Sequence, residues 1–329
     1  MMRSQPTLSR ARQRGAALLT AMLMVVLVAT LASGMLWQQW RGVEVESAQR
    51  TRVQAAWVLT GALDWARLIL REDARQGGAD HLAEPWAVPL EPARLSTFLA
   101  AERGQANVDD DAAEQTFLSG RIQDMQARLN VTNLIDGQQL HEPSVLAWQR
   151  LFEHLNLPPD ELAAFTLALR QSQRVTAPER GQAPGRPLRP QRVADLVWLG
   201  LSPRTLQALQ PYITLLPART SVNLNTAPAE VLLATVSGMD LAQARSLVQA
   251  RTRQYMKSLA DADRLVNNAS IHFDTTAHAV TSRFFGVSGQ LRLGGATLQE
   301  VSLLQRDGLL VRILSRQREV LQSAVPTLQ

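Results

Sequence analysis

The residues able to carry catalysis or hold a metal are few and dispersed. Five histidines, His81, His141, His154, His272 and His278, show no His-Glu-x-x-His or other ligand spacing. The absence of cysteine removes disulfides, thiolate metal sites, Cys nucleophiles and an acylated lipoprotein Cys together. No Gly-x-Ser-x-Gly elbow and no glycine-rich phosphate loop followed by Lys is present. A Ser-His-Asp set could arise only by convergence in space, so the sequence predicts a protein that is not an enzyme. Asp109, Asp110 and Asp111 with Glu114 form a dense acidic cluster, but consecutive aspartates point apart, and a solvated loop is the expectation.

One stretch carries a denser polar pattern. In residues 222–232, Asn223, Asn225 and Thr226 precede Pro228 and Glu230. Thr226 is placed as the N-cap of a helix with Pro228 and Glu230 in its first turn. The two asparagines are expected to hold the entering loop through side-chain to backbone bonds. Asp240 with Gln243 then spells a capping box for a second helix whose Leu241, Ala244 and Leu247 face inward. Two short helices across a tight turn resemble helix-hairpin-helix modules, which bind DNA phosphates through a Gly-apolar-Gly hairpin. Here the hairpin is Ser237-Gly238-Met239-Asp240, with a carboxylate where the second glycine would stand. That carboxylate would repel phosphate, so no nucleic-acid partner is expected, and membrane-anchored DNA uptake stands as the alternative function. Arg245, Arg251, Arg253 and Lys257 read as a solvated face, and the arginines of the proline-rich stretch 171–192 as a solvated loop.

The elements that position this pattern begin with a charge asymmetry. The formal charge of +5 comes from 34 basic and 29 acidic residues. Four of the basic residues, Arg3, Arg10, Arg12 and Arg14, lie in the first 15 positions, which hold no acid. Residues 16–37 then carry no charge at all. As a helix rising ~1.5 Å per residue, those 22 residues reach about 33 Å, enough to cross a bilayer. The arginines before it put the N-terminus in the cytoplasm. A secretory signal has an apolar region of only about 7–15 residues, and a cut near Ala32 is the competing reading.

No proline occurs between Pro6 and Pro85, and apolar residues recur every three or four positions from Val45 to Leu70. One helix from Ala16 to about Arg71 is expected, ending before Gly77-Gly78. The C-terminal region alternates as three strands through Phe285 to Leu293, Leu298 to Leu303 and Leu309 to Ile313, with Gly294-Gly295 and Asp307-Gly308 as hairpin signals. Ala127, Leu129 and Val131 suggest a further strand of that sheet. Residues 143–279 read as helical, with Val145, Leu146, Trp148, Leu151, Phe152 and Leu155 as one stripe and Pro158-Pro159-Asp160-Glu161 opening the next helix. The fold class is therefore α+β: a long N-terminal helix on an antiparallel sheet, interrupted by an all-helical insertion.

Arg14-Gly15-Ala16-Ala17-Leu18-Leu19 ahead of an uninterrupted apolar helix resembles a type IV pilin-type leader. That resemblance implies cleavage by prepilin peptidase after Gly15 and N-methylation of Ala16. Family members usually carry Phe or Met at the first mature position and Glu at the fifth; here these are Ala16 and Thr20. In pilin-like fibres the Glu is held to neutralise the terminal ammonium of the subunit ahead, where unpaired charge in the membrane is costly. Its loss, together with the helical insertion and the Asn-Thr-Ala-Pro-Ala-Glu string, is similar to the minor pseudopilin K family of the type II secretion system. The resemblance implies a pilin-like fold with SAM-like or helix-hairpin-helix-like subdomains in the insertion. It implies a place at the pseudopilus tip in the inner membrane and periplasm, where the subunit initiates assembly for export of folded proteins. The implied partners are minor pseudopilins I and J, prepilin peptidase and the inner-membrane platform, with secreted proteins and the outer-membrane secretin as further candidates. The domain reading is a leader at 1–15, a membrane or fibre-core helix at 16–37, a first pilin-like part at 38–142, the insertion at 143–279 and the final sheet at 280–329. Some members bind calcium through an acidic loop of the insertion, but the loop after Arg170 offers only Glu179, so no cofactor or metal is carried over.

Overall fold

The computed structural model describes residues 13–95, 116–173, 187–268, 270–293 and 296–322. Residues 1–12, the acidic cluster at 109–114, the arginines between 174 and 186 and the Gly294-Gly295 turn lie outside the described residues. The chain divides into two compact units, Met1–Val58 and Leu59–Gln329. Helix α1 spans Gln13–Gln76, five residues longer at its C-terminal end than the sequence predicts. It stops where Gly77 and Gly78 both take positive φ.

Within the first unit, α1 shows solvent an unbroken run of exposed residues from 17 to 50. The helix is long and apolar enough to cross a membrane.

In the second unit, Leu59, Leu63, Ala66 and Leu70 follow i, i+4, i+7, i+11 spacing and are all at most 3% exposed. Each buried Leu contributes roughly 1.5–3 kcal/mol. They lie on a five-stranded antiparallel sheet formed in chain order by β1 (Leu90–Arg94), β2 (Thr116–Asp124), β3 (Phe284–Leu293), β4 (Ala296–Asp307) and β5 (Leu310–Gln322). Leu63, Leu70, Trp86, Phe285, Val287, Leu304 and Val311 make up the helix–sheet core. A Cβ on Gly289 would stand 3.2 Å from the Leu59 side chain, so glycine there lets the helix lie close to the sheet.

The sheet differs from the predicted meander in three ways. It gains β1 and β2, and β2 is hidden in the sequence because Gly120 and Arg121 interrupt its alternation. The β4–β5 hairpin turns on Gly308 and Leu309, since Asp307 and Leu310 are register partners; Gly308 alone has positive φ. The predicted strand at 127–131 does not join. Asp124 caps a 3₁₀ turn at Met125–Ala127, which steers the chain off the sheet, and Leu129–Asn130 pairs in parallel with Ile213–Thr214.

All of the helical region lies between β2 and β3. Its ends meet, because Asp124 and Phe285 are register partners. Helices α2 (Glu142–His154), α3 (Pro159–Gln173), α4 (Pro203–Leu209), α5 (Ala229–Thr235), α6 (Leu241–Arg253) and α7 (Leu259–Val266) surround Trp148, Leu151, Phe152, Phe165, Leu232 and Leu247. That core also takes in Leu129, Val131, Leu134 and Ile135. Leu146, expected in the apolar stripe, is exposed.

Candidate functional site

Three of the residues singled out lie at the start of α1. Gly15 and Ala16 fall in its first turn. Thr20 lies on the same helix and returns its hydroxyl to the backbone, donating to the Ala17 carbonyl at 2.9 Å. Such a local bond lets a hydroxyl sit in an apolar helix without bringing a charge.

The motif at 223–230 is buried at the foot of the helical region, where the chain leaves and rejoins the sheet. Asn223 is fully buried. Its Nδ2 donates towards the Asp80 carbonyl at 3.1 Å, Asp124 Oδ2 at 3.0 Å and Ser282 Oγ at 2.9 Å. Its Oδ1 accepts from the Asn225 backbone N–H at 2.9 Å. Asn225 in turn bonds both backbone groups of Met256 at 2.9 Å, tying this loop to the α6–α7 connection. The backbone on either side is held as well: Val222–Asn223 pairs in parallel with His278–Ala279.

Thr226 is not an N-cap. Pro228 takes that position with extended φ and ψ, and the Thr226 hydroxyl instead donates to Asp124 Oδ2 at 2.6 Å. A buried carboxylate with free lone pairs outcompetes the helix terminus for that donor. Glu230 sits half-buried in the first turn of α5 as expected. Burial first and the Glu230 charge second push the Tyr212 hydroxyl up.

Asp124 is the hub. Its Oδ2 also accepts from Ser282 Oγ at 2.6 Å, and its Oδ1 from the Gln126 backbone N–H at 2.8 Å. Burial pushes its carboxyl up, and the bonds from Ser282, Thr226, Gln126 and Asn223 pull it back. Ser282 passes the network on, its backbone N–H donating to Asp80 Oδ2 at 2.6 Å. Arg306 on β4 then bridges Asp80, at 2.5 Å, and Asp73 on α1, while its guanidinium lies 4.7 Å over the Phe285 ring. Desolvation raises the Asp80 carboxyl, and Arg306 opposes that. Every buried donor named here finds an acceptor, which is what a polar cluster needs to be tolerated in a core.

Asp73, Asp80 and Glu84 each bring an oxygen within 4.8 Å of the others, a spacing that could accept a cation. Arg306 already supplies positive charge to two of them. This cluster gives no sign in the sequence, since Asp73, Asp80, Asp124, Ser282 and Arg306 are scattered. The one available signal is position: Asp124 and Ser282 flank the insertion, and buried Asn223 and Thr226 require partners.

The geometry also bears on the other two chemistries. The helix hairpin buries Met239, and Asp240 Oδ1 accepts from the Gln243 backbone N–H at 2.7 Å, completing the predicted capping box. The carboxylate therefore occupies the helix N-terminus where a phosphate would bind. Arg251 leaves the expected solvated face: it is buried, donates to the Leu224 carbonyl at 2.5 Å, and desolvation lowers it to about 10. His141, Ser144 and Asp274 line one cleft, but His141 and Ser144 meet at 2.9 Å as a local contact at the start of α2. Both Asp274 oxygens accept from Thr276, at 2.9 and 2.6 Å, so the three residues serve local turns.

Comparison with known proteins adds the family context. Residues 127–218 and 222–281 match the family described as Type II secretion system (T2SS), protein K. The chain is 30% identical to Type II secretion system protein K of Pseudomonas aeruginosa over 93% of both chains. It is 29% identical to the protein of that name from Klebsiella pneumoniae, covering 93% of this chain and 96% of the relative. Among solved structures, it is similar to a chain of the GspK-GspI-GspJ complex of the enterotoxigenic Escherichia coli type 2 secretion system. The TM-score is 0.58 at 19% identity, covering 83% of this chain and 98% of the other.

Proposed function

Because the chain belongs to the type II secretion system protein K family, we propose that it is a structural minor pseudopilin that stands at the pseudopilus tip and helps to start its assembly. Prepilin peptidase cuts after Gly15 and methylates Ala16, leaving residues 16–37 as the inner-membrane anchor with the N-terminus cytoplasmic and the bulk periplasmic. The anchor buries itself against neighbouring helices when the subunit is extracted. Minor pseudopilins I and J are its partners, and the inner-membrane platform receives it; secreted proteins and the secretin are candidate contacts of the exposed end.

The observation that carries this reading is Thr20. At the position where shaft subunits hold a Glu, this helix has a hydroxyl spent on its own backbone. A subunit without that carboxylate has no means of neutralising the terminal ammonium of a subunit ahead of it. The bulk of the helical insertion, residues 143–279 in the reading above, agrees with an end position, since a regularly packed shaft leaves no room for it.

Intact mass of the membrane-extracted protein tests the first step: residues 1–15 are missing and one methyl is added. An unprocessed chain, or one cut near Ala32, overturns it. Co-purification with pseudopilins I and J tests the partners. Thr20→Glu tests the tip assignment, because a restored carboxylate lets the subunit enter at internal positions in crosslinking experiments, while wild type crosslinks only at the end.

A further inference from the structure

The uncharged run of α1 ends in a change of chemistry. Within it the hydroxyls are spent on the helix itself: Thr20, Thr30 and Ser33 donate to the carbonyls of Ala17, Leu27 and Ala29 at 2.9, 2.8 and 2.8 Å. Such self-bonding suits a medium that offers no hydrogen bonds. Trp37, Trp40 and Arg41 follow, at the three- and four-residue spacing that gathers them on one side of the helix. Both indoles are exposed, at 59% and 65%. The Arg41 guanidinium lies over the Trp37 ring, 4.7 Å from its centroid. Among the described residues Arg41 has no ion-pair partner, although Glu44 lies only three positions on, whereas Arg50 pairs with Glu46 at 3.2 Å.

The distances match a lipid boundary. The 22 uncharged residues span about 33 Å against a hydrocarbon layer of roughly 30 Å, so Trp37 falls where hydrocarbon gives way to headgroups. Arg41 comes four residues, or about 6 Å, further, and the headgroup layer is itself about 5–7 Å deep on each side. An indole has an apolar body and one polar edge, and it settles at that boundary for this reason. A guanidinium held against a ring keeps its N–H edge outward, and its fork matches two oxygens of one phosphate. Arg41 is the first charge after Arg14, so no residue nearer the hydrocarbon competes for that phosphate. An acidic peptide would answer the charge of Arg41 but not its place, four positions past the end of a bilayer-length run.

We propose that Trp37 and Arg41 clamp the phosphodiester of a membrane phospholipid, with Trp40 beside them at the interface, and that this clamp sets the depth of α1 in the bilayer. It rests on the reading of residues 16–37 as a membrane anchor. A helix with apolar residues alone slides or tilts easily, because small mismatches with the bilayer are cheap. A phosphate bound at one end removes that freedom, and the continuous helix then holds Gly15 and Ala16 at a fixed height at the other. Lysine does not substitute: its ammonium is a point charge that neither stacks on the ring nor grips two oxygens. Extraction of the subunit into a fibre has to release this lipid first.

Because the chain has no cysteine, single spin labels report depth without interference. The full chain carries Val26→Cys, in the middle of the run, or Gln39→Cys, on the side of the helix away from Trp37 and Arg41. It is reconstituted in vesicles of phosphatidylcholine, which present phosphate without net surface charge, and depth is read from the ratio of oxygen to nickel-chelate collision rates. The Val26→Cys label is expected in the hydrocarbon and the Gln39→Cys label at headgroup level. Adding Arg41→Gln should move the Gln39→Cys label inward by about one helical turn, because the uncharged run then continues to Val43. Trp37→Leu should give a smaller shift in the same direction, Arg41→Lys should restore less than half of the depth, and Arg52→Gln should change nothing. In vesicles of digalactosyl diacylglycerol, which lack phosphate, the Arg41→Gln shift should fall to less than half. A Gln39→Cys depth that ignores Arg41→Gln, or a shift as large in the galactolipid as in phosphatidylcholine, overturns the clamp while a hydrocarbon-buried Val26→Cys label leaves the anchor standing. A Val26→Cys label in water overturns the anchor and the clamp together.

Discussion

Residues 17–50 of α1 and the motif at 223–230 treat polar atoms in opposite ways. The first is exposed along its whole length and, up to position 37, carries no charge. The second buries two asparagines, a threonine and, through them, an aspartate, and satisfies each with a named partner. An apolar helix surface asks for an external medium, so its purpose is carried by composition alone. A buried polar cluster asks for specific groups at specific distances, so its purpose depends on where the fold brings its partners. The contrast teaches that this chain separates its membrane chemistry from its architectural chemistry. One region is built from the absence of polar groups and the other from their mutual satisfaction.

The comparison can be broken first at the anchor. Gly15→Val is expected to abolish processing, leaving only full-length precursor in inner-membrane fractions by intact mass. The fold of residues 59–329 should be unaffected, with an unchanged unfolding transition. If that transition moved as well, the two regions would not be separate in function.

At the other pole, Asn223→Ala removes donors to Asp80, Asp124 and Ser282 and the acceptor of Asn225 at once. Each buried group left without a partner costs about 1–3 kcal/mol, so a total loss near 4 kcal/mol is expected in denaturant unfolding. A loss below about 1 kcal/mol would show that water replaces the side chain and that the network is not specific.

His278, paired beside Asn223's strand, sharpens the same point by pH. Both its ring nitrogens are buried without a partner among the described residues, and desolvation lowers it to about 4. A base depressed in the fold contributes stability above its unfolded value of 6.5, and that contribution is lost as pH falls through about 4. Unfolding temperature should therefore decline from pH 6.5 towards 4 in wild type and decline less in His278→Phe. Thr226→Val is expected to cost about 1–2 kcal/mol by removing one of the four donors to Asp124. Asp240→Ala, which deletes an exposed cap, should cost only about 1 kcal/mol. A larger effect there than at Thr226 would reverse the ranking of buried over exposed polar groups.

Much of the fold was legible in the sequence. The i, i+4, i+7 rhythm of Leu59, Leu63, Ala66 and Leu70 announced which face of α1 is buried. Alternation around Phe285, Leu298 and Val311 announced three of the five strands. Gly120 concealed β2, because a glycine in a strand breaks the pattern that identifies one. Leu129 and Val131 misled for the opposite reason: their alternation is genuine, but it serves a two-residue pairing inside the helical core. At the motif, the capping box of Asp240 was legible because both its members lie within four residues. Thr226 spells a cap by the same local logic, but its true partner lies 102 positions away.

What the sequence determined by itself are the properties that need no partner: the uncharged run, the basic stretch before Gly15, the hydroxyl at Thr20 and the periodicities of α1 and the sheet. Each depends on neighbours within a few turns or on solvent. Tertiary structure alone decided that Asp124 and Phe285 would stand side by side, and with them the ends of the helical region. It decided that Asp80, Ser282 and Arg306 would gather around Asn223, and that Glu84 would face Asp73. A long-range hydrogen bond leaves no periodicity in the chain, because its distance is set by the fold and not by the spacing of residues.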